Sequence, residues 1–355
     1  MDATVVVVTD RPTRSTELAE FLRRVADVRV VGTEERWNAG PRPTAVVSDL
    51  TLTHPHCIRS LRRLRQAYGE GAVPLVCLLR SGDPSAHLEA KALGAKACLS
   101  ADSHHELVAD ALVRVAFPGQ EVADRIVSRS CSRAAEVLDS MFSTAQGGGA
   151  PSMAAVDRGV GPVLEAIKGG RLDRWLATVW AYDDATYQHC LLVTGYAASF
   201  AQFLGFSQRD RQALVRGALV HDVGKAKIPR EILNKPGRLN DDEMAVMRTH
   251  AACGFDLLAN GGECDAATLD AVRHHHEMLD GSGYPDGLRG DEIGDPVRLL
   301  TICDIYAALT ERRPYKAPLP ADEALRILAG MSGKLEPALL GAFAQSLQQV
   351  PRAAA

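Results

Sequence analysis

An imidazole and a carboxylate stand side by side at His221-Asp222. They follow an apolar run (Leu214, Val215, Ala218, Leu219, Val220) and precede Gly224-Lys225. Burying such groups is costly unless they find partners. A metal ion satisfies both, because it takes imidazole nitrogen and carboxylate oxygen together. His189, His250, His275, His276 and Asp304 are donors of the same kind, each inside or beside an apolar segment. The whole set exceeds the needs of one ion and suits two, and two ions held ~3.5–4 Å apart are a recurrent apparatus for hydrolysing phosphate esters. Asp222 lies between the other donors in sequence and is the natural carboxylate to share. Lys225 follows as a fixed point charge for a phosphoryl oxygen. Nitrogen and oxygen donors with no thiolate pattern suit iron, manganese, zinc or nickel.

A lone buried histidine is more often a hydrogen-bonded core residue than a ligand. His54, His56, His87, His104 and His105 are therefore expected to have no ligand role. Adjacent residues on a helix point about 100° apart, so His274, His275 and His276 are not all expected to converge on one centre.

The elements that must position these donors come from the rest of the chain. Its 355 residues allow two domains, and 46% hydrophobic with 24% charged residues is the balance of a globular protein. The net charge of −4 gives no basic field for polymeric nucleic acid. No apolar run is long enough to span a membrane, and the N-terminus carries no cationic leader. Eight cysteines without a C-x-x-C pair read as small buried hydrophobes in a reducing cytoplasm.

Residues 1–116 alternate short apolar runs (Val5–Val8, Val28–Val31, Ala45–Val47, Val73–Leu79, Ala97–Leu99) with amphipathic segments. This alternation predicts a doubly wound α/β domain with a parallel sheet. Asp10 and Asp49 fall after the first and third strands, where such folds place ligand and phosphorylation sites. The segment resembles a response-regulator receiver domain with eroded active residues. Thr9-Asp10 stands for the usual acidic pair, Leu79 for the hydroxyl residue and Ser100 for the lysine. The resemblance therefore implies a receiver-shaped domain kept for contacts with protein partners, not for phosphotransfer.

Residues 117–151 read as a helical linker closed by Gly147-Gly148-Gly149. Its stretch 121–142 could pair with a second subunit to make a homodimer, or pack on its own domains. Residues 152–350 are expected to be an all-α bundle. Asn240-Asp241-Asp242-Glu243 has capping-box spacing, with His250 expected on the helix that follows. His275-His276 and Asp304 are each expected within later helices, and 280–296 as a structured loop.

His221-Asp222-Val223-Gly224-Lys225, then His275-His276-Glu277 through Gly281-Ser282-Gly283-Tyr284-Pro285, then Asp304 with Arg313-Pro314-Tyr315-Lys316, resemble the HD-GYP family of HD metal-dependent phosphohydrolases. The likeness runs over about 185–345. It implies a metal-dependent phosphodiesterase that hydrolyses cyclic di-GMP to pGpG, to GMP or to both. It implies His189, His221, Asp222, His250, His275, His276 and Asp304 as metal ligands and favours iron or manganese. It also implies Lys225, Gly283, Tyr284, Pro285, Arg313 and Lys316 around the substrate.

Two positions depart from the family pattern. Ala185 stands where some members carry a glutamate for a third metal, which favours two ions, and Ala307 stands where a second aspartate is common. The competing readings are a cyclic di-GMP-binding module with little turnover and an HD phosphohydrolase acting on another nucleotide.

Overall fold

The computed structural model describes residues 3–34, 41–69, 71–80, 84–312 and 317–348. The chain divides into two compact units, 1–129 and 130–355.

In the first unit the strands are β1 (Thr4–Thr9), β2 (Asp27–Val31), β3 (Ala45–Asp49), β4 (Leu75–Leu79) and β5 (Ala97–Ser100). The helices between and after them are α1 (Pro12–Leu22), α2 (Pro55–Tyr68), α3 (Pro84–Ala92) and α4 (His105–Ala116). All the strands pair parallel in the order β2-β1-β3-β4-β5, so the sheet is of the expected doubly wound kind. Val5 through Val8 and Ala45 through Val47 are buried because both faces of these central strands are covered. Alternate residues feed two cores: Val5, Val7 and Val47 pack with α1 and α4 residues, Val6, Val8 and Val46 with α2 residues.

Thr9 pairs in register with Asp49, so β1 and β3 end together where the strand order reverses. There Asp49 accepts hydrogen bonds from Ser15 Oγ (3.0 Å) and Thr9 Oγ1 (3.4 Å). Asp10 accepts from Thr51 Oγ1 (2.5 Å) and Arg80 Nη2 (3.0 Å), and Arg80 Nη2 also lies 3.8 Å from Asp49 Oδ1. An arginine therefore faces both carboxylates.

The division falls within α5 (Val122–Gln146), which follows Pro118-Gly119 and stops before the glycine run. The second unit contains α6 (Met153–Ile167), α7 (Leu172–Val179), α8 (Ala185–Phe203), α9 (Gln208–Val220), α10 (Arg230–Leu233) and α11 (Asp241–Arg248). It continues with α12 (His250–Ala259), α13 (Ala266–His274), α14 (Asp295–Thr310), α15 (Ala321–Gly330) and α16 (Pro337–Gln348). It has no strands among the described residues, as the sequence predicts for an all-α bundle. Ala134, Leu138, Met141 and Ala145 of α5 are buried within the chain, so these positions pack on its own residues.

Helix α8 is buried on nearly every side and packs against α7, α9 and α14. Trp175 Nε1 donates to the Leu191 carbonyl at 2.9 Å, and Gly195 admits the indole ring, since a Cβ there would lie 2.4 Å from it. Among the described residues no helix is long and apolar enough to cross a membrane. The eight cysteines are free.

Candidate metal centre

The donors collect where helices end. His189 lies in the second turn of α8, and His221 is the C-cap of α9. Asp222 opens a 3-10 turn over 223–227. The Asn240–Glu243 capping box forms as expected, with bonds of 2.8 and 2.9 Å. However, α11 stops at Arg248, so His250 starts α12 instead of lying within α11.

Helix α13 likewise ends at His274, so His275 is its C-cap and His276 lies beyond it, contrary to the expectation of a helix through both. That ending removes the constraint on adjacent side chains. His275 and His276 turn to the same centre with ring centroids 4.2 Å apart. His274 instead faces Asp270 (2.6 Å) and Asp286 (2.9 Å). Asp304 projects from α14.

Carbonyl groups orient three of the imidazoles. Nδ1 of His221, His250 and His275 lies 2.7, 2.8 and 2.8 Å from the carbonyls of Ala218, Met247 and Val272. A carbonyl only accepts, so each Nδ1 carries the proton and each Nε2 presents a lone pair. Nε2 of His250 then faces Nε2 of His275 at 3.2 Å, lone pair to lone pair, in a buried pocket. His221 Nε2 and Asp222 Oδ1 are buried with no hydrogen-bond donor. A cation turns each of these costs into a bond, so the residues fit a metal.

The donors fall into two groups around Asp222. Its Oδ2 lies 3.3 Å from His221 Nε2 and 3.6 Å from His189 Nε2. Its Oδ1 lies 3.3 Å from His250 Nε2 and 3.9 Å from His275 Nε2. Asp304 Oδ1 is 2.9 Å from His189 Nε2, and its Oδ2 is 3.4 Å from His276 Nδ1. His189, His221 and Asp304 are close enough to share an ion, as are His250, His275 and His276, and Asp222 lies between the two groups.

The electrostatics suit cation binding. Burial disfavours charge on His275 and His250 and holds both below the usual imidazole range, while His276 is pushed down to about 3 for the same reason. Neutral imidazole is the ligating form. Burial also opposes charge on Asp222, but the Lys225 ammonium beside it outweighs this and keeps the carboxylate ionised. Lys225 Nζ donates to Asp222 Oδ2 at 2.5 Å. His189 is the exception: burial opposes its charge, but the Asp304 and Glu311 carboxylates outweigh burial and raise the pKa to about 9, so a cation must displace its Nε2 proton to be held there.

Sequence reasoning missed Glu311. It caps α14, is 4% exposed, and its carboxylate lies 3.0 Å from His189 Nδ1. Asp304 and Glu311 are seven residues apart, which puts them on one helix face, and that spacing was the available signal. Ala307, on the turn between them, is fully buried. Ala185 is the exposed first residue of α8.

Glycine makes two of these approaches possible. A Cβ on Gly224 would lie 1.9 Å from the His250 carbonyl oxygen, so the 3-10 turn can reach α12 only with glycine. A Cβ on Gly283 would lie 2.4 Å from Glu277 Cα. That loop is held by Glu277, which accepts from the amides of Asp286 (2.7 Å), Gly287 (3.0 Å) and Leu288 (3.1 Å). It places Tyr284 against His276, with ring centroids 4.7 Å apart, next to a cis Tyr284-Pro285 bond. The Arg248 guanidinium, also missed in the sequence, lies 5.3 Å from the Tyr284 ring centroid. Arg313 and Lys316 lie outside the described residues.

Residues 171–339 match the family model described as "HD domain". The chain is 33% identical over 222 residues to "Cyclic di-GMP phosphodiesterase PA4108" of Pseudomonas aeruginosa, covering 62% of this chain and 54% of that protein. It is 40% identical over 141 residues to "Cyclic di-GMP phosphodiesterase response regulator RpfG" of Xanthomonas campestris pv. campestris, covering 39% of this chain and 37% of that one. A third relative, "3'3'-cGAMP-specific phosphodiesterase 3" of Vibrio cholerae, is 37% identical over 167 residues, covering 47% and 36%. The chain thus spans about half or less of the length of these relatives. Among solved structures, Bd1817, "a HDG"Y"P protein from Bdellovibrio bacteriovorus", is similar with a TM-score of 0.51 at 18% identity, covering 69% of this chain and 78% of that one. That likeness is one of fold.

Proposed function

We propose that the protein, whose residues 171–339 match the HD domain family model, is a metal-dependent phosphodiesterase of the HD-GYP branch. Its substrate is cyclic di-GMP, and its products are pGpG, GMP or both. The observation that carries this reading is Asp222, whose two oxygens face separate groups of imidazole donors. Two divalent cations fit that arrangement, held by His189, His221 and Asp304 on one side and His250, His275 and His276 on the other, with Asp222 shared. Iron or manganese suits nitrogen and oxygen donors without thiolate. When bound, the pair supplies an activated water at neutral pH and neutralises a phosphodiester.

The chain's own residues do the rest. The Ala218, Met247 and Val272 carbonyls hold three imidazoles in the ligating tautomer. Lys225 balances Asp222 and offers a cation to a phosphoryl oxygen. Tyr284 packs against His276, and with Gly283 and Pro285 it would wall the substrate's place beside that ring. Arg248 backs that wall with positive charge. Arg313 and Lys316 enter on the sequence resemblance, as contacts to the second phosphate or a guanine edge. The first unit acts as a receiver-like regulator whose partners are proteins, and the whole works in the cytoplasm.

The names of the relatives divide between cyclic di-GMP and 3'3'-cGAMP. The test is therefore product analysis on both dinucleotides with metal-loaded protein. Cleavage of cyclic di-GMP to pGpG or GMP supports the proposal. Binding without cleavage replaces it with a sensory module, and cleavage of 3'3'-cGAMP alone moves the substrate.

A further inference from the structure

A second group of donors lies at the start of α2 in the first unit, and the phosphodiesterase reading uses none of it. His54 is the N-cap, and His56 and Cys57 are the second and third residues of α2. One donor atom from each lies within 4.8 Å of the others. His56 Nε2 is 3.3 Å from Cys57 Sγ. The His54 and His56 rings stack with centroids 5.5 Å apart and planes 23° from parallel.

Bond lengths of ~2.3 Å to sulfur and ~2.0–2.1 Å to nitrogen at a tetrahedral angle put those two donors about 3.6 Å apart. The observed sulfur–nitrogen distance of 3.3 Å is close to that. An S–H···N hydrogen bond also suits this distance, but it needs no second imidazole. His54 occupies a position where Ser, Thr, Asp or Asn would cap the helix, and its side chain makes no capping bond. Both imidazoles are exposed, while the sulfur beneath them is fully buried. The thiol also donates to Asp10 Oδ2 at 3.7 Å, a carboxylate that Arg80 faces at 3.0 Å, so Arg80 remains to balance Asp10 when that proton leaves. Two rings thus roof a single thiol on an open surface.

We propose that His54, His56 and Cys57 bind a thiophilic divalent cation of the Zn2+ class through two imidazoles and one thiolate. The cation replaces the thiol proton, which is released to solvent. Three protein donors leave a coordination position open, so the site exchanges its ion and lies directly beside the Asp10–Arg80 pair. The expectation that His54 and His56 have no ligand role is revised accordingly.

Titration of the full chain with Co2+, in a thiol-free reductant, tests this. A thiolate bound to Co2+ gives a near-ultraviolet charge-transfer band. The histidine and aspartate donors of the second unit give none, so the band reports this site alone. The expected result is a band whose saturation corresponds to one Co2+ per chain beyond the ions taken by the second unit, and which vanishes in Cys57→Ser and is bleached by Zn2+. Because His54 and His56 are exposed, His54→Ala and His56→Ala leave the fold intact. Each should weaken Co2+ binding by at least the ~10–100-fold that loss of an outer-shell partner costs. Absence of the band, its survival in Cys57→Ser, or titrations unchanged in the histidine variants would overturn the proposal.

Discussion

His189 is held from both ends, by Asp304 at Nε2 and Glu311 at Nδ1. A carboxylate behind a ligating imidazole fixes its tautomer and orientation. Glu311→Ala should therefore lower metal affinity by ~10–100-fold, with Glu311→Gln recovering part of the loss because its amide oxygen still accepts. Competition with a chelator, followed by metal analysis, measures this without recourse to activity; unchanged affinity would make Glu311 a bystander. Gly224→Ala should shift the 3-10 turn against α12 and destabilise the fold by about 1–3 kcal/mol, as overpacking does. Thermal unfolding of chelated protein reads that cost apart from metal loss. Arg313→Ala should weaken cyclic di-GMP binding by about 1.5–3 kcal/mol, the worth of a hydrogen bond to a charged group, while sparing metal content. Hydrolysis of bis(p-nitrophenyl) phosphate, which has no guanine, should suffer less, and equal loss on both substrates would place Arg313 in the chemistry.

At the level of elements, the sequence was informative wherever periodicity or capping chemistry decided the outcome. The five parallel strands follow from runs such as Val5–Val8, and the Asn240–Glu243 box formed because both halves of its reciprocal bonding are local. Helix ends were harder to read. The stops at Arg248 and His274 carry no glycine or proline, and tertiary demand sets them: His250 and His275 must both turn towards Asp222. Glu311 and Arg248 were missed because a surface-type residue near a helix end looks solvated until the packing is known.

Arg80 was missed in the same way, and it alters the account of the sheet's carboxyl edge. Leu79 and Ser100 supply no phosphoryl clamp, burial pushes Asp49 above the usual carboxylate range, and Arg80 faces both Asp49 and Asp10. Asp49 should thus accept phosphate poorly from acetyl phosphate. Mass spectrometry after incubation checks it, and efficient phosphorylation of Asp49 with a change in hydrolysis would restore a working receiver.

At the scale of the whole molecule, the chain joins a parallel-sheet unit to a helical unit carrying the donors, and it spans only part of its curated relatives. The activity proposed for it stands on the Asp222-centred donors, so one preparation decides the central claim. Anaerobically purified native protein and Asp222→Ala are each analysed for bound metal and for products from cyclic di-GMP. The account predicts about two ions per native chain, by the logic of a two-metal site, together with pGpG or GMP. It predicts loss of most metal and all hydrolysis in Asp222→Ala. Undiminished hydrolysis in Asp222→Ala, or native protein that turns the substrate over with its metal removed, would contradict it.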